Sequence, residues 1–230
     1  MTDPIAVVGT GTGVGKTVVT AGLTRLLREA GHDARAIKPA QTGHPPDDDA
    51  AFVATACDDL AAATCLRYLE PALAPRVAAD VANEDLEYES IRAACERAAA
   101  AAAVPIVEGV GGLRVPLAGD REVIDLVADL EARAIVVTRS GLGTLNHTAL
   151  SIDALEARGI DVLGVVCNEY TGETVAERTN PDELERMTGY AVETVPSLAD
   201  DSDREPRDLA ISVGEALSPT FRRRLPIEDG

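Results

Sequence analysis

Nine consecutive residues limit what this chain can become. Gly9-Thr10-Gly11-Thr12-Gly13-Val14-Gly15-Lys16-Thr17 follows the run Ile5–Val8, rich in β-branched residues and apolar throughout, which reads as a buried strand. It leads into a stretch, from Lys16 to about Ala30, whose apolar residues Val19, Leu23, Leu26 and Leu27 recur at helical spacing, and Gly31 supplies the stop. A strand, a loop of small residues and a helix start form the context that a phosphate group needs. Small residues let backbone N–H groups curl around its oxygens, and the helix N-terminus adds partial positive charge. Lys16 can then reach the β- and γ-phosphates of a nucleotide, and the Thr17 hydroxyl can ligate Mg²⁺. The strict pattern G-x-x-x-x-G-K-[ST] wants glycine where Thr10 stands, and a dinucleotide fingerprint G-x-G-x-x-G started at Gly9 fails at Val14. Gly-Lys-Thr in frame after a strand decides for a phosphate loop over a plain glycine turn.

The alternation of strand and helix continues. Strands are predicted at Ala34–Lys38, Val104–Glu108, Ala134–Thr138, Val162–Asn168 and Val192–Val195, with helices at Ala50–Ala56, Tyr88–Ala103 and from about Leu145 to Arg158. Residues 43–49 read as a polar loop. This order means βαβ crossovers, and the fully apolar strand interiors mean a sheet covered on both faces. The expectation is an α/β P-loop NTPase fold, a mostly parallel sheet flanked by helices, in one domain over residues 1–218. Residues 219–230 are expected to be a loosely held tail, with Arg222–Arg224 a solvated patch.

Composition narrows the function. No apolar run approaches the ~20 residues of a membrane span, and the N-terminus does not resemble a signal peptide, so a soluble cytoplasmic protein is expected. Cys57, Cys65, Cys95 and Cys167 show no C-x-x-C spacing and read as small buried hydrophobes; the three histidines have no metal-ligand spacing. The formal net charge of −18 argues against nucleic acid or an anionic membrane as partner. Lys16 and Lys38 are the only lysines among 21 basic residues, the rest being arginine. An acidic, lysine-poor chain of this kind resembles proteins adapted to high salt, where screening relieves self-repulsion. It also makes the two lysines candidates for sites where a compact ammonium cannot be exchanged for a guanidinium.

Three segments in order carry a family resemblance: G-T-x-T-x-V-G-K-T from Gly9, K-P-x-x-T-G from Lys38, and V-E-G-x-G-G-L-x-V-P-L from Val107. Together they resemble dethiobiotin synthetase, and the resemblance runs from about residue 5 to residue 200. Enzymes of that family use ATP to join CO₂ to 7,8-diaminononanoate and close the ureido ring of dethiobiotin. The resemblance implies ATP and Mg²⁺ as cofactors and catalytic roles for Lys38, Lys16 and Thr12. It implies nucleotide binding by Gly13, Val14, Gly15, Lys16, Thr17 and Val18, by Gly109, Val110 and Gly111, and by Asn168 and Glu169, with Pro196, Ser197 and Leu198 lining the base pocket. Metal ligation falls to Thr17, Glu108 and one carboxylate of Asp47, Asp48 and Asp49. Asp49 matches best, since Ala50 and a helical run follow it. Lys38 and Thr42 are implied substrate contacts, and Asn146, in Leu142-Gly143-Thr144-Leu145-Asn146-His147, is implied to reach the substrate carboxylate of a neighbouring subunit, hence a homodimer.

Some positions depart from the family. Gly11 and Gly13 replace residues that are often acidic, Arg76 stands where histidine is common, and Arg114 where an apolar or aromatic residue is usual. Three other readings of the loop are open, and Lys38 with two carboxylates in the expected places argues against one of them, a nucleotide-binding module without catalysis. A cobyrinate-synthase-like amidating enzyme carries a glutaminase domain for which 230 residues leave no space. A partitioning or division-site regulatory ATPase carries a signature lysine where Gly11 stands.

Overall fold

The computed structural model describes residues 3–197 and 204–225. Its strands are β1 (Ile5–Gly9), β2 (Ala34–Lys38), β3 (Gln41–Thr42), β4 (Ala63–Cys65), β5 (Tyr68–Leu69), β6 (Val104–Glu108), β7 (Pro116–Ala118), β8 (Arg121–Glu122), β9 (Arg133–Arg139), β10 (Val162–Tyr170) and β11 (Val192–Pro196). Its α-helices are α1 (Lys16–Glu29), α2 (Asp49–Ala56), α3 (Pro75–Ala82), α4 (Tyr88–Ala100), α5 (Val123–Asp129), α6 (Thr144–Glu156), α7 (Val175–Thr188), α8 (Pro206–Ala216) and the single turn α9 (Pro219–Arg222).

Seven strands form one sheet in the order β11-β10-β9-β1-β6-β2-β4, and every pairing in it is parallel. Side chains alternate across it as strand geometry requires. From β1, Ile5 and Val7 face a core built with α1, α8 and α9, while Ala6 and Val8 face one built with α4, α5, α6 and α7. Both faces are therefore covered, which is why the strand interiors carry no polar alternation. Parallel strands also bring their C-terminal ends to one edge. The phosphate loop leaves β1 there, Lys38 ends β2 and Glu108 ends β6, with β1 between β6 and β9. This is the edge at which open α/β sheets hold ligands. Among the described residues no helix is long and apolar enough to cross a membrane.

Three sequence expectations need correction. The alanine-rich helix predicted to Ala103 stops at Ala100, because the Ala103 N–H is taken by the Asp33 carbonyl at 3.1 Å as the chain turns into β6. The tail is not loose through Leu225. Phe221 is fully buried against the sheet, where Gly164 leaves room for it: a Cβ at Gly164 would lie 2.5 Å from the ring. Arg222 donates to the Leu217 and Gly214 carbonyls, while Arg223 and Arg224 are exposed as expected of a solvated patch. Phe221→Ala is expected to cost about 3–5 kcal/mol. By calorimetry that lowers the melting temperature by roughly 6–20 °C; a shift under about two degrees would mean the segment is only loosely docked. Cys57 and Cys65 are likewise only half-buried, unlike Cys95 and Cys167.

Candidate active site

The loop between β1 and α1 owes its shape to glycine. Gly13 and Gly15 take φ values of 71° and 93°, a left-handed region that L side chains rarely adopt. At Gly15 space is also lacking, since a Cβ there would lie 1.9 Å from the Asn168 Nδ2. Asn168, in β10, lies on the loop and donates from Nδ2 to the Val14 carbonyl at 3.3 Å. Gly15 is the N-cap of α1, and no side chain caps that end, so the N-terminal N–H groups of the helix are left for a ligand. Val14 itself is buried beneath the loop and anchors it.

Lys16 is buried, and its Nζ donates to the Gly11 carbonyl at 2.9 Å. Burial, reinforced by the charge of Lys38, lowers its pKa to about 8. An ammonium held at this cost is one that an anion would stabilise strongly. Thr17 donates its hydroxyl to Glu108 Oε1 at 2.9 Å. Glu108 also accepts from Lys38 Nζ at 2.7 Å, and Lys38 pairs with Asp49 as well. Burial opposes the charge on Lys38, but Glu108 and Asp49 together outweigh it and hold the pKa above its ordinary value. Burial pushes the Glu108 carboxyl up; for Asp49 burial acts the same way, but Lys38 outweighs it and holds the carboxyl down. Four groups from four elements thus form one charged cluster beside the loop.

These groups line a cleft of about 680 Å³. Of the residues named from the sequence, Thr12, Gly13, Gly15, Lys16, Thr17, Val18, Lys38, Thr42 and Asp49 border it, as do Glu108, Val110, Gly111, Asn168 and Glu169. Gly109 is not on its wall; it packs behind, where its N–H donates to the Val7 carbonyl at 2.9 Å. The three consecutive aspartates divide their work: Asp48 caps α2 by accepting from the Ala51 N–H at 2.9 Å, Asp49 pairs with Lys38, and Asp47 borders the cleft. Gln41, passed over in the sequence, is buried there and accepts from the Asp49 N–H at 3.2 Å. Its place inside the Lys-Pro-Ala-Gln-Thr-Gly run was the signal that could have found it.

A second cleft, of about 510 Å³, opens beyond Thr12 between the loop and α6. Leu113, Val115 and Leu150 give it apolar walls, and Arg114 and His147 polar ones. Arg114 is exposed and paired with Glu122, while Arg76 donates to the Gly119 carbonyl at 3.0 Å. Asn146 lies exposed on the first turn of α6 and borders neither cleft. Pro196 ends β11 and Ser197 follows it, donating its N–H to the Tyr170 carbonyl at 2.8 Å; neither borders the larger cleft, and Leu198 lies outside the described residues.

Comparison with known proteins bears on the fold and the family. The AAA domain family model matches residues 3–201. The ATP-dependent dethiobiotin synthetase BioD of the halophile Haloferax mediterranei is 59% identical over 94% of this chain and 92% of its own length. That of Aquifex aeolicus is 34% identical over 94% of this chain and 98% of its own length. Among solved structures, a ParA family ATPase from Chlorobium tepidum superposes with a TM-score of 0.59 at 14% identity, covering 97% of this chain and 96% of its own. The septum site-determining protein MinD of Pyrococcus horikoshii, complexed with Mg-ADP, gives a TM-score of 0.56 at 16% identity over 99% of this chain and 100% of its own. At such identities these structures establish the P-loop fold alone. The acidic, lysine-poor composition fits the halophilic origin of the Haloferax relative. With relatives this similar over nearly the whole chain, the protein belongs to the ATP-dependent dethiobiotin synthetase family.

Proposed function

We propose that this chain is an ATP-dependent cyclo-ligase that joins CO₂ to 7,8-diaminononanoate and closes the ureido ring of dethiobiotin, releasing ADP and phosphate. The observation that carries this reading is the placing of the only two lysines on one cleft. Lys16 rises from the phosphate loop and Lys38 from the end of β2, and the charge of Lys38 adds to burial in lowering the Lys16 pKa. The chemistry calls for such a pair. One substrate amine captures CO₂ as a carbamate, a poor electrophile. A carbamate oxygen then takes the γ-phosphoryl group of ATP, breaking the bond to ADP and giving a mixed carbamic–phosphoric anhydride. The second amine attacks its carbonyl carbon, loses a proton, and phosphate leaves with the bridging oxygen. No protein nucleophile is needed, so the site must supply position and positive charge.

Lys38 stabilises the carbamate and the transferring phosphoryl group, Lys16 the β- and γ-phosphates, and Thr12 stands where the two clefts meet. Thr42 hydrogen-bonds the substrate. Asn168 and Glu169, which border the cleft, hold the base. The apolar second cleft suits the alkyl chain of the diamine. Mg²⁺ fits the donors present: Thr17, Asp49 and Glu108 offer hard oxygen atoms around one point, and among the described residues no cluster of three or more His, Cys, Asp or Glu could hold a metal unaided. That is the ligand set of an ion bound by one or two carboxylates and completed by substrate phosphates. When bound it neutralises phosphate charge. The reading includes a cytoplasmic homodimer in which Asn146 reaches the substrate carboxylate held by the second copy. Leu142 and Leu150, 97% and 58% exposed around Asn146, support it as apolar surface for such a contact.

The test is phosphate release from bicarbonate and MgATP in molar KCl, with and without the diamine. Release should require the diamine. Equal release without it would sink this reading and point to a regulatory ATPase.

A further inference from the structure

At the ends of β9 and β10, Arg139 and Asn168 are register partners, and both reach the same loop. Asn168 donates to the Val14 carbonyl, and Arg139 donates from a terminal guanidinium nitrogen to the Gly13 carbonyl at 2.7 Å. In a trans peptide the C=O of one residue and the N–H of the next point in opposite directions. A donor that draws the Gly13 carbonyl toward Arg139 therefore turns the Val14 N–H the other way, and a donor on the Val14 carbonyl does the same for the Gly15 N–H. Gly13 and Gly15 border the large cleft, whereas Arg139 does not. Arg139 is 60% exposed, and its Nε lies 3.6 Å from Glu169, which steadies the side chain.

We infer that Arg139 is a positioning residue for the phosphate loop, holding the 13–14 peptide so that the Val14 N–H faces the nucleotide phosphates. It acts through the loop backbone and does not touch the ligand. A glycine on either side of Val14 makes that peptide easy to turn, so an external clip is what fixes its orientation before the ligand arrives. The inference rests on the loop binding the β-phosphate, as the proposed function has it.

The test uses the full-length enzyme and needs no turnover. MgADP and AMP are titrated calorimetrically into wild type, Arg139→Leu and Arg139→Lys in 1 M KCl, where the screening length is about 3 Å and long-range attraction by an exposed guanidinium is suppressed. Arg139→Leu is expected to weaken MgADP about tenfold, the worth of one charge-assisted hydrogen bond. AMP, which has no β-phosphate, should change less than about twofold. Arg139→Lys, which keeps a donor for the Gly13 carbonyl, should stay within about threefold of wild type. Unchanged melting temperatures would confirm that the variants fold. Equal MgADP affinity in Arg139→Leu, or equal losses for MgADP and AMP, would overturn the inference, as would a lysine variant as weak as the leucine. Wild type that binds no MgADP would instead refute the nucleotide site itself.

Discussion

Replacing Lys38 by arginine should lower kcat by about 10³-fold, the scale of removing a preorganised charge from a transition state, while MgADP still binds and the circular dichroism spectrum is unchanged. The conservative change is severe for a geometric reason. Lys38 is only 6% exposed, and its compact ammonium fits between Glu108, at 2.7 Å, and Asp49. A guanidinium is larger and planar, and its fork favours bidentate grip on carboxylates. It would therefore bind Glu108 and Asp49, the proposed metal ligands, more firmly and offer less to the proposed carbamate. Everywhere except these two sites the chain uses arginine as its basic residue, so the exception argues from chemistry rather than supply. Steady-state phosphate release decides it. A variant with wild-type turnover would remove Lys38 from the phosphoryl-transfer step.

Gly15→Ala should weaken MgATP by about 10²-fold, from strain of about 1–3 kcal/mol at a left-handed backbone position and from the loss of a seated neighbour. Two separate obstacles meet there. The φ of 93° disfavours any Cβ, and that Cβ would fall 1.9 Å from the Asn168 Nδ2 and 2.8 Å from its Cγ. Asn168 is 5% exposed and hydrogen-bonded to the loop, so it cannot simply swing aside. Relief would have to come from the loop, which is the part that must keep its shape. Calorimetric titration measures the loss. Affinity within threefold of wild type would show that the loop binds phosphate without this geometry.

What the sequence made legible was whatever a short range of residues decides. Strands β1, β2 and β6 are β-branched or apolar apart from Arg35 and end in a glycine or a charge, so their C-terminal ends, and with them the phosphate loop, Lys38 and Glu108, could be read directly. Asp49 is favoured over its neighbours on the resemblance, because Ala50 and a helical run follow it; that Asp48 is the helix cap is visible only in the structure. Two of the helices that escaped are hard to read from a short window. Helix α5 is seven residues long and buried on most sides, and α7 carries Pro181 and few apolar residues, although its Thr174–Glu177 capping box was a usable sign. Strand β4, three residues at the sheet edge, is defined only by its pairing with β2. Phe221 gave no local hint of burial, because its pocket is made by Gly164, 57 residues earlier in the chain. Arg139 was invisible for the same reason: its reach to Gly13 depends on β9 lying beside β1, a tertiary fact.

The central claim is that a carbamate oxygen becomes the bridge to phosphorus, with Lys16 and Lys38 holding the two ends of the transfer. Oxygen-18 carried in freshly added CO₂, with MgATP and the diamine in unlabelled water, follows that oxygen directly. Mass spectrometry of the products on a timescale shorter than CO₂–water exchange should find one labelled oxygen in the released phosphate for each ring closed. Ring closure that releases unlabelled phosphate would contradict the mixed anhydride and the roles assigned to both lysines.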